Sequence, residues 1–91
     1  MKESKTMKYI FHMDPGHGWL EVTRAELVRL GILNQISEYS YQRGDKVYLE
    51  EDCDATLFFE TKKALGEKME FDDQYEENTP IRNYQSFSPF S

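Results

Sequence analysis

The sequence predicts one small α+β domain, an antiparallel sheet with two helices packed on one face, in the order β-β-α-β-β-α-β. Three observations carry this. Thr23-Arg24-Ala25-Glu26 has the Thr-x-x-Glu form of a capping box. Residues 53 to 65 begin among acids, end with Lys62 and Lys63 and stop at Gly66, the charge order that suits a helix dipole. Arg43-Gly44-Asp45 places a glycine turn between two aromatic strand candidates. At 91 residues there is room for one core. With 38% apolar and 14% aromatic residues the chain lies above disordered composition, and 31% charged residues give it a heavily solvated exterior.

Residues 1 to 6 are polar and aperiodic and read as a flexible N-terminal tail, residues 7 to 78 as the domain, and residues 79 to 91 as an extended C-terminal arm. Tyr9, Ile10 and Phe11 favour a strand from Lys8 to Met13, which Asp14-Pro15-Gly16-His17-Gly18 then ends. Trp19 to Val22 is a short extended segment, and a helix begins at Arg24 with Ala25, Leu27, Val28 and Leu30 apolar and Gly31 as its left-handed stop. Ile32, Leu33 and Ile36 plug one end of the core.

Glu38 to Gln42 and Lys46 to Glu50 form the hairpin, with Tyr39 and Tyr41 on one face of the first strand. The helix of residues 53 to 65 should bury a stripe of Cys53, Leu57, Phe58, Thr61, Ala64 and Leu65. Lys68 to Asp72 alternates as a half-buried strand does, and Tyr75, Ile81, Tyr84, Phe87 and Phe90 give the arm its aromatic and apolar anchors around Pro80 and Pro89.

No apolar run is long enough to span a bilayer and no signal-type segment follows Met1, so a cytoplasmic setting without membrane contact is expected. The single cysteine, Cys53, fits a reducing compartment. The net charge of -6 is uneven. Residues 1 to 44 hold six Lys/Arg and five Asp/Glu, whereas residues 45 to 91 hold five and twelve. An acidic half argues against direct nucleic-acid binding, which relies on cations, and for a basic or nucleic-acid-binding protein partner.

His12, Asp14 and His17 have the residue types of a metal site, but a tight Pro-Gly turn flanked by histidines explains them better, and no metal or other cofactor is expected. Asp14, His17 and Cys53 also spell a thiol nucleophile with base and orienter. Glu50, Glu51, Asp52 and Asp54 around Cys53 oppose a thiolate, so Cys53 is expected as a small buried residue and no catalytic residue is assigned. The Gly16-His17-Gly18-Trp19 loop suits a ligand, with His17, Trp19, Tyr39, Tyr41, Arg43 and Arg82 as candidate ligand-binding residues. Asp72, Asp73, Glu76 and Glu77 are candidates for a partner-binding acidic surface that imitates phosphates.

The stretches Asp14-Pro15-Gly16-His17-Gly18-Trp19-Leu20-Glu21-Val22, Tyr39-Ser40-Tyr41-Gln42-Arg43-Gly44, Tyr48-Leu49-Glu50-Glu51-Asp52-Cys53-Asp54 and Pro80-Ile81-Arg82-Asn83-Tyr84 resemble a family of short bacteriophage and mobile-element proteins. The resemblance covers most of the domain; it implies a phage or plasmid setting in a bacterial host and brings no activity with it. The expectation is a non-enzymatic accessory protein that binds a host protein, a defence nuclease being one such target, through its acidic half. The alternative is a protein that sequesters a small nucleotide at the Gly16–Trp19 loop, and a metal- or thiol-dependent enzyme ranks third. The oligomeric state is open, a homo-oligomer included.

Overall fold

The structure, a computed structural model, describes residues 6–90. Six strands, β1 (Thr6–Met13), β2 (Gly18–Thr23), β3 (Tyr41–Arg43), β4 (Lys46–Glu50), β5 (Lys68–Tyr75) and β6 (Gln85–Ser86), form one sheet in the order β5-β1-β2-β4-β3-β6. Helices α1 (Arg24–Leu30) and α2 (Asp54–Ala64) and two short 3-10 turns, Leu33–Gln35 and Pro80–Asn83, complete the chain. The α+β class and the predicted order therefore hold, with β6 added at the end. Most of the expected N-terminal tail lies outside the described residues, and Thr6 already opens β1.

The sheet is mixed, because β5 runs parallel to β1 while the other neighbours are antiparallel. The cause is topological. β4 and β1 both run opposite to β2, and α2 carries the chain from the end of β4 back across the sheet, so β5 repeats the direction of β4 and of β1.

Local chemistry explains the first helix. Thr23 Oγ1 accepts from the Glu26 amide at 3.2 Å, and Gly31, at φ +74°, donates to the carbonyls of Leu27 and Val28. Leu27 is buried, whereas Ala25 and Val28 face solvent. The hairpin forms as expected around Gly44, with Tyr41 opposite Tyr48 and Gln42 opposite Val47. Its first strand begins only at Tyr41, and Tyr39 lies in the preceding turn.

Leu20 and Val22 of β2 face Leu49 and Val47 of β4, and with Tyr9 they pack against Leu27, Ala55 and Phe58 of the two helices. The Tyr9 and Phe58 rings meet edge to face at 5.3 Å. On the opposite side of the sheet, Trp19 and Tyr48 are covered by Ile81, with Tyr41 and Tyr84 packed beside them.

The segment from Thr79 onward, expected as an extended arm, packs on its own domain. It lays Ile81 on one face, pairs β6 with β3, and puts Phe87 into the core on the other face. The Phe87 amide donates to the Ser40 carbonyl, and Arg24 and Gln42 bind the backbone of Ser88.

The buried stripe of α2 is not the expected one. Asp54, Ala55, Phe58 and Lys62 are buried; Cys53, Ala64 and Leu65 are exposed. The helix is turned by about one residue, roughly 100°, because two charged side chains find partners in the interior. Lys62 is fully buried, its ammonium 3.2 Å from Glu26 and 2.8 Å from Glu67. Arg29 braces the same two carboxylates from outside at 2.6 and 2.8 Å.

Burial alone would lower the Lys62 pKa, but hydrogen bonds to Glu67, Tyr9 and Glu26 outweigh it and push it up to about 12. Hydrogen bonds from Arg29 and Lys62 pull Glu67 down to about 2. Glu26 is also lowered, its bonds to Arg29 and Lys62 overcoming burial. Since these carboxylates ionise more readily when folded, their stabilisation is complete above an ordinary carboxylate pKa of about 4.5 and is lost as pH falls through the folded values toward about 2. The melting temperature is expected to stay level from pH 8 to 5 and to fall between pH 4.5 and 2, with a shallower fall in Glu67→Gln. Parallel acid profiles for the two proteins would contradict this assignment.

Candidate functional site

The loop between β1 and β2 is folded by Asp14. Its Oδ1 accepts from the amides of Gly16 at 3.0 Å and His17 at 2.8 Å, the side-chain-to-backbone turn that aspartate favours. The glycine that follows His17 leaves room for a neighbouring ring. A Cβ on Gly18 would stand 2.8 Å from the Phe11 ring, so any larger residue where the chain enters β2 would have to displace that ring.

The remaining oxygen of Asp14 is taken by a distant partner. Thr79 caps the Pro80–Asn83 turn, its Oγ1 accepting from the Ile81 amide, and this turn presents Arg82. Arg82 donates from Nε to Asp14 Oδ2 at 2.5 Å and from Nη2 to Oδ1 at 3.1 Å, a two-pronged pair. The Arg82 bond, helped by the two amides, holds the Asp14 carboxyl well below the usual range despite partial burial. Arg82 Nη2 also reaches His17 Nδ1 at 2.7 Å; a guanidinium only donates, so Nδ1 accepts and the ring proton sits on Nε2. His17 in turn stacks on Trp19, with centroids 5.7 Å apart and planes 17° from parallel.

Arg82, His17 and Trp19 border a cavity of about 350 Å³. His17, Trp19, Tyr39, Tyr41 and Arg82, five of the six sequence-predicted ligand residues, converge there. Trp19 is 2% exposed and meets Tyr41 edge to face at 6.2 Å, whereas Tyr39 is 71% exposed. Arg43 does not join them. Its guanidinium lies 5.2 Å over the Tyr84 ring and donates to the Tyr84 hydroxyl, away from the cavity.

Three residues not predicted for this site complete the lining: Glu50, Asp52 and Cys53. Cys53, expected to be buried, is exposed, its amide donating to Glu50 Oε1 at 3.0 Å. Glu50 and Asp52 make no ion pair among the described residues, whereas the cation Arg82 is matched by Asp14. The cavity is thus aromatic with uncompensated negative charge.

The Tyr39 side of the cavity is held from beneath by Asp54. Its buried Oδ2 accepts from the Ser37 amide at 3.0 Å, the Ser37 hydroxyl at 2.7 Å and the Ser40 hydroxyl at 2.5 Å. Ser40 Oγ also accepts from the Glu50 amide, and Ser37 Oγ from the Tyr39 amide.

The other constellations come apart. His12 pairs with Glu21 at 2.8 Å on the sheet rather than with Asp14 or His17. Among the described residues no three His, Cys, Asp or Glu side chains stand together as a metal site. Asp14 binds the His17 amide and not its ring, so it does not orient the imidazole toward Cys53. Asp72 and Asp73, adjacent in β5, project to opposite faces, and Glu76 and Glu77 follow the strand; all four are exposed. Glu77 lines a second, polar hollow of about 420 Å³ with Asp14, Thr79 and Arg82. No helix among the described residues is long and apolar enough to cross a membrane. Set against family models, curated proteins and solved structures, the chain matches none.

Proposed function

We propose that this chain is a non-enzymatic accessory protein of a phage or plasmid that binds a basic host protein, and that its aromatic cavity receives a cationic side chain of that partner. The observation that carries the reading is the lining itself. Tyr39 and Tyr41 offer ring surface beside the buried Trp19, on which His17 stacks, Glu50 and Asp52 add negative charge, and Arg82 is neutralised by Asp14. A guanidinium or ammonium gains from both the rings and the carboxylates. The volume of about 350 Å³ is at the small end for ligand sites and suits one side chain. A nuclease is a partner of the right character, since surfaces that bind nucleic acid are basic.

The nucleotide alternative keeps the stacking surface but loses its anion site. Arg43 is engaged by Tyr84 and Arg82 by Asp14, and a phosphate entering the cavity would meet Glu50 and Asp52.

Trp19 is the only tryptophan, so its fluorescence reports on the cavity directly. Titration with N-acetylarginine methylamide should give a saturable change at roughly millimolar concentration, weakened about threefold by Asp52→Asn or Glu50→Gln and weakened by salt. Adenosine monophosphate should produce little response. Tighter binding of the nucleotide, strengthened by the same two variants, would replace this reading with the sequestering one.

A further inference from the structure

We propose that the open edge of β5 accepts an added strand from a basic partner, with apolar residues of that strand on the helix-covered side and lysines or arginines on the other. β5 ends the sheet order, so among the described residues nothing pairs with its outer side along eight residues. The direction of its backbone groups follows from one bond. The Glu76 amide donates to the Met13 carbonyl, and in a parallel pair alternate residues turn both polar groups to the same neighbour. Lys68, Glu70, Asp72 and Gln74 therefore face β1, while Met69, Phe71, Asp73 and Tyr75 present N–H and C=O outward.

The side chains divide in the same way. Phe71 and Tyr75 are exposed on the side where Phe71 packs on Phe59 of α2, and Met7 of β1, paired with Met69, is exposed beside them. Glu70 and Asp72 lie on the opposite side. Three carboxylates, Glu70, Asp72 and Asp73, within four positions disfavour a second copy of this chain, because antiparallel self-pairing sets acid against acid. The same charges complement a cationic strand. Added strands gain affinity from main-chain bonds and selectivity from alternate side chains, and this edge supplies both.

Strand β1 lies between this edge and β2, which carries Trp19 to the aromatic cavity, and the inference shares with the proposed function only the basic character of the partner. The test uses an acetylated, amidated octapeptide that alternates lysine and valine. On binding, amide hydrogen exchange should slow at Phe71, Asp73 and Tyr75, whose N–H groups face outward, and change little at Asp72 and Gln74, which already pair with β1. N-methylation of one alternate set of peptide residues should abolish binding and methylation of the other set should leave it, since only alternate amides face β5. The double variant Glu70→Lys, Asp72→Lys should weaken binding roughly tenfold. Asp52→Asn, expected to weaken the arginine probe in the cavity, should not affect the octapeptide. Equal effects of the two methylation sets, or exchange protection elsewhere than the outward amides of β5, would overturn the proposal.

Discussion

Lys62→Ala is expected to lower the melting temperature by about 10–20 °C. Breaking a buried ion pair by removing one partner costs about 3–5 kcal/mol, because the other charge is left uncompensated. Here Arg29 still braces Glu26 and Glu67 from the surface, which places the loss nearer 2–3 kcal/mol, and a domain of this size loses about 4–8 °C per kcal/mol. Lys62→Met keeps the aliphatic stem that runs past the Tyr9 and Phe58 rings and should lose about half as much. Thermal unfolding followed by circular dichroism checks both. A lysine that merely opposed the dipole at a helix end would be worth only about 0.3–1 kcal/mol, so a change of a few degrees would return Lys62 to that smaller role.

Asp54→Ala should be of similar size, about 3 kcal/mol, with an effect on binding as well. Hydrogen bonds to a charged acceptor contribute about 1.5–3 kcal/mol each, and three bonds sharing one oxygen contribute less than their sum. Their loss also releases Ser37 and Ser40, and with them the turn that carries Tyr39 to the cavity. The variant should therefore bind the arginine probe more weakly than its loss of stability explains when assayed well below its melting temperature. Ser40→Ala, which removes one of the three bonds, should fall between. Unchanged probe binding in a destabilised Asp54→Ala would show that Tyr39 is positioned without this knot.

What the sequence made legible was whatever depends on neighbours. The Thr23 cap and the Gly31 stop lie within one or two turns of what they stabilise, and both ends of α1 fall where that chemistry puts them. The ends of α2 were legible for the same reason, but its buried face was not. Asp54 and Lys62 look like surface charges until Ser37, Ser40 and Glu26 arrive from 17, 14 and 36 residues away. That knot is also why Tyr39 leaves the expected strand.

At the cavity, ring size and glycine content pointed to His17, Trp19, Tyr39 and Tyr41, because stacking surfaces announce themselves by residue type. The charge balance could not be read that way. It depends on Arg82 meeting Asp14 across 68 positions and on Arg43 being claimed by Tyr84.

Arg82 reaches the cavity on the segment after Thr79, which lies across Trp19 and Tyr48 and is fastened by Asp14, Arg24, Gln42 and the short pairing of β6. When that segment lifts, it takes one side of the cavity with it and opens the ring faces of Trp19 and Tyr48 to water. The apparent affinity for a side chain in the cavity is then the intrinsic affinity multiplied by the fraction of molecules whose segment is docked. Changes at Arg24 or Gln42, neither of which lines the cavity, would thus retune binding through occupancy alone.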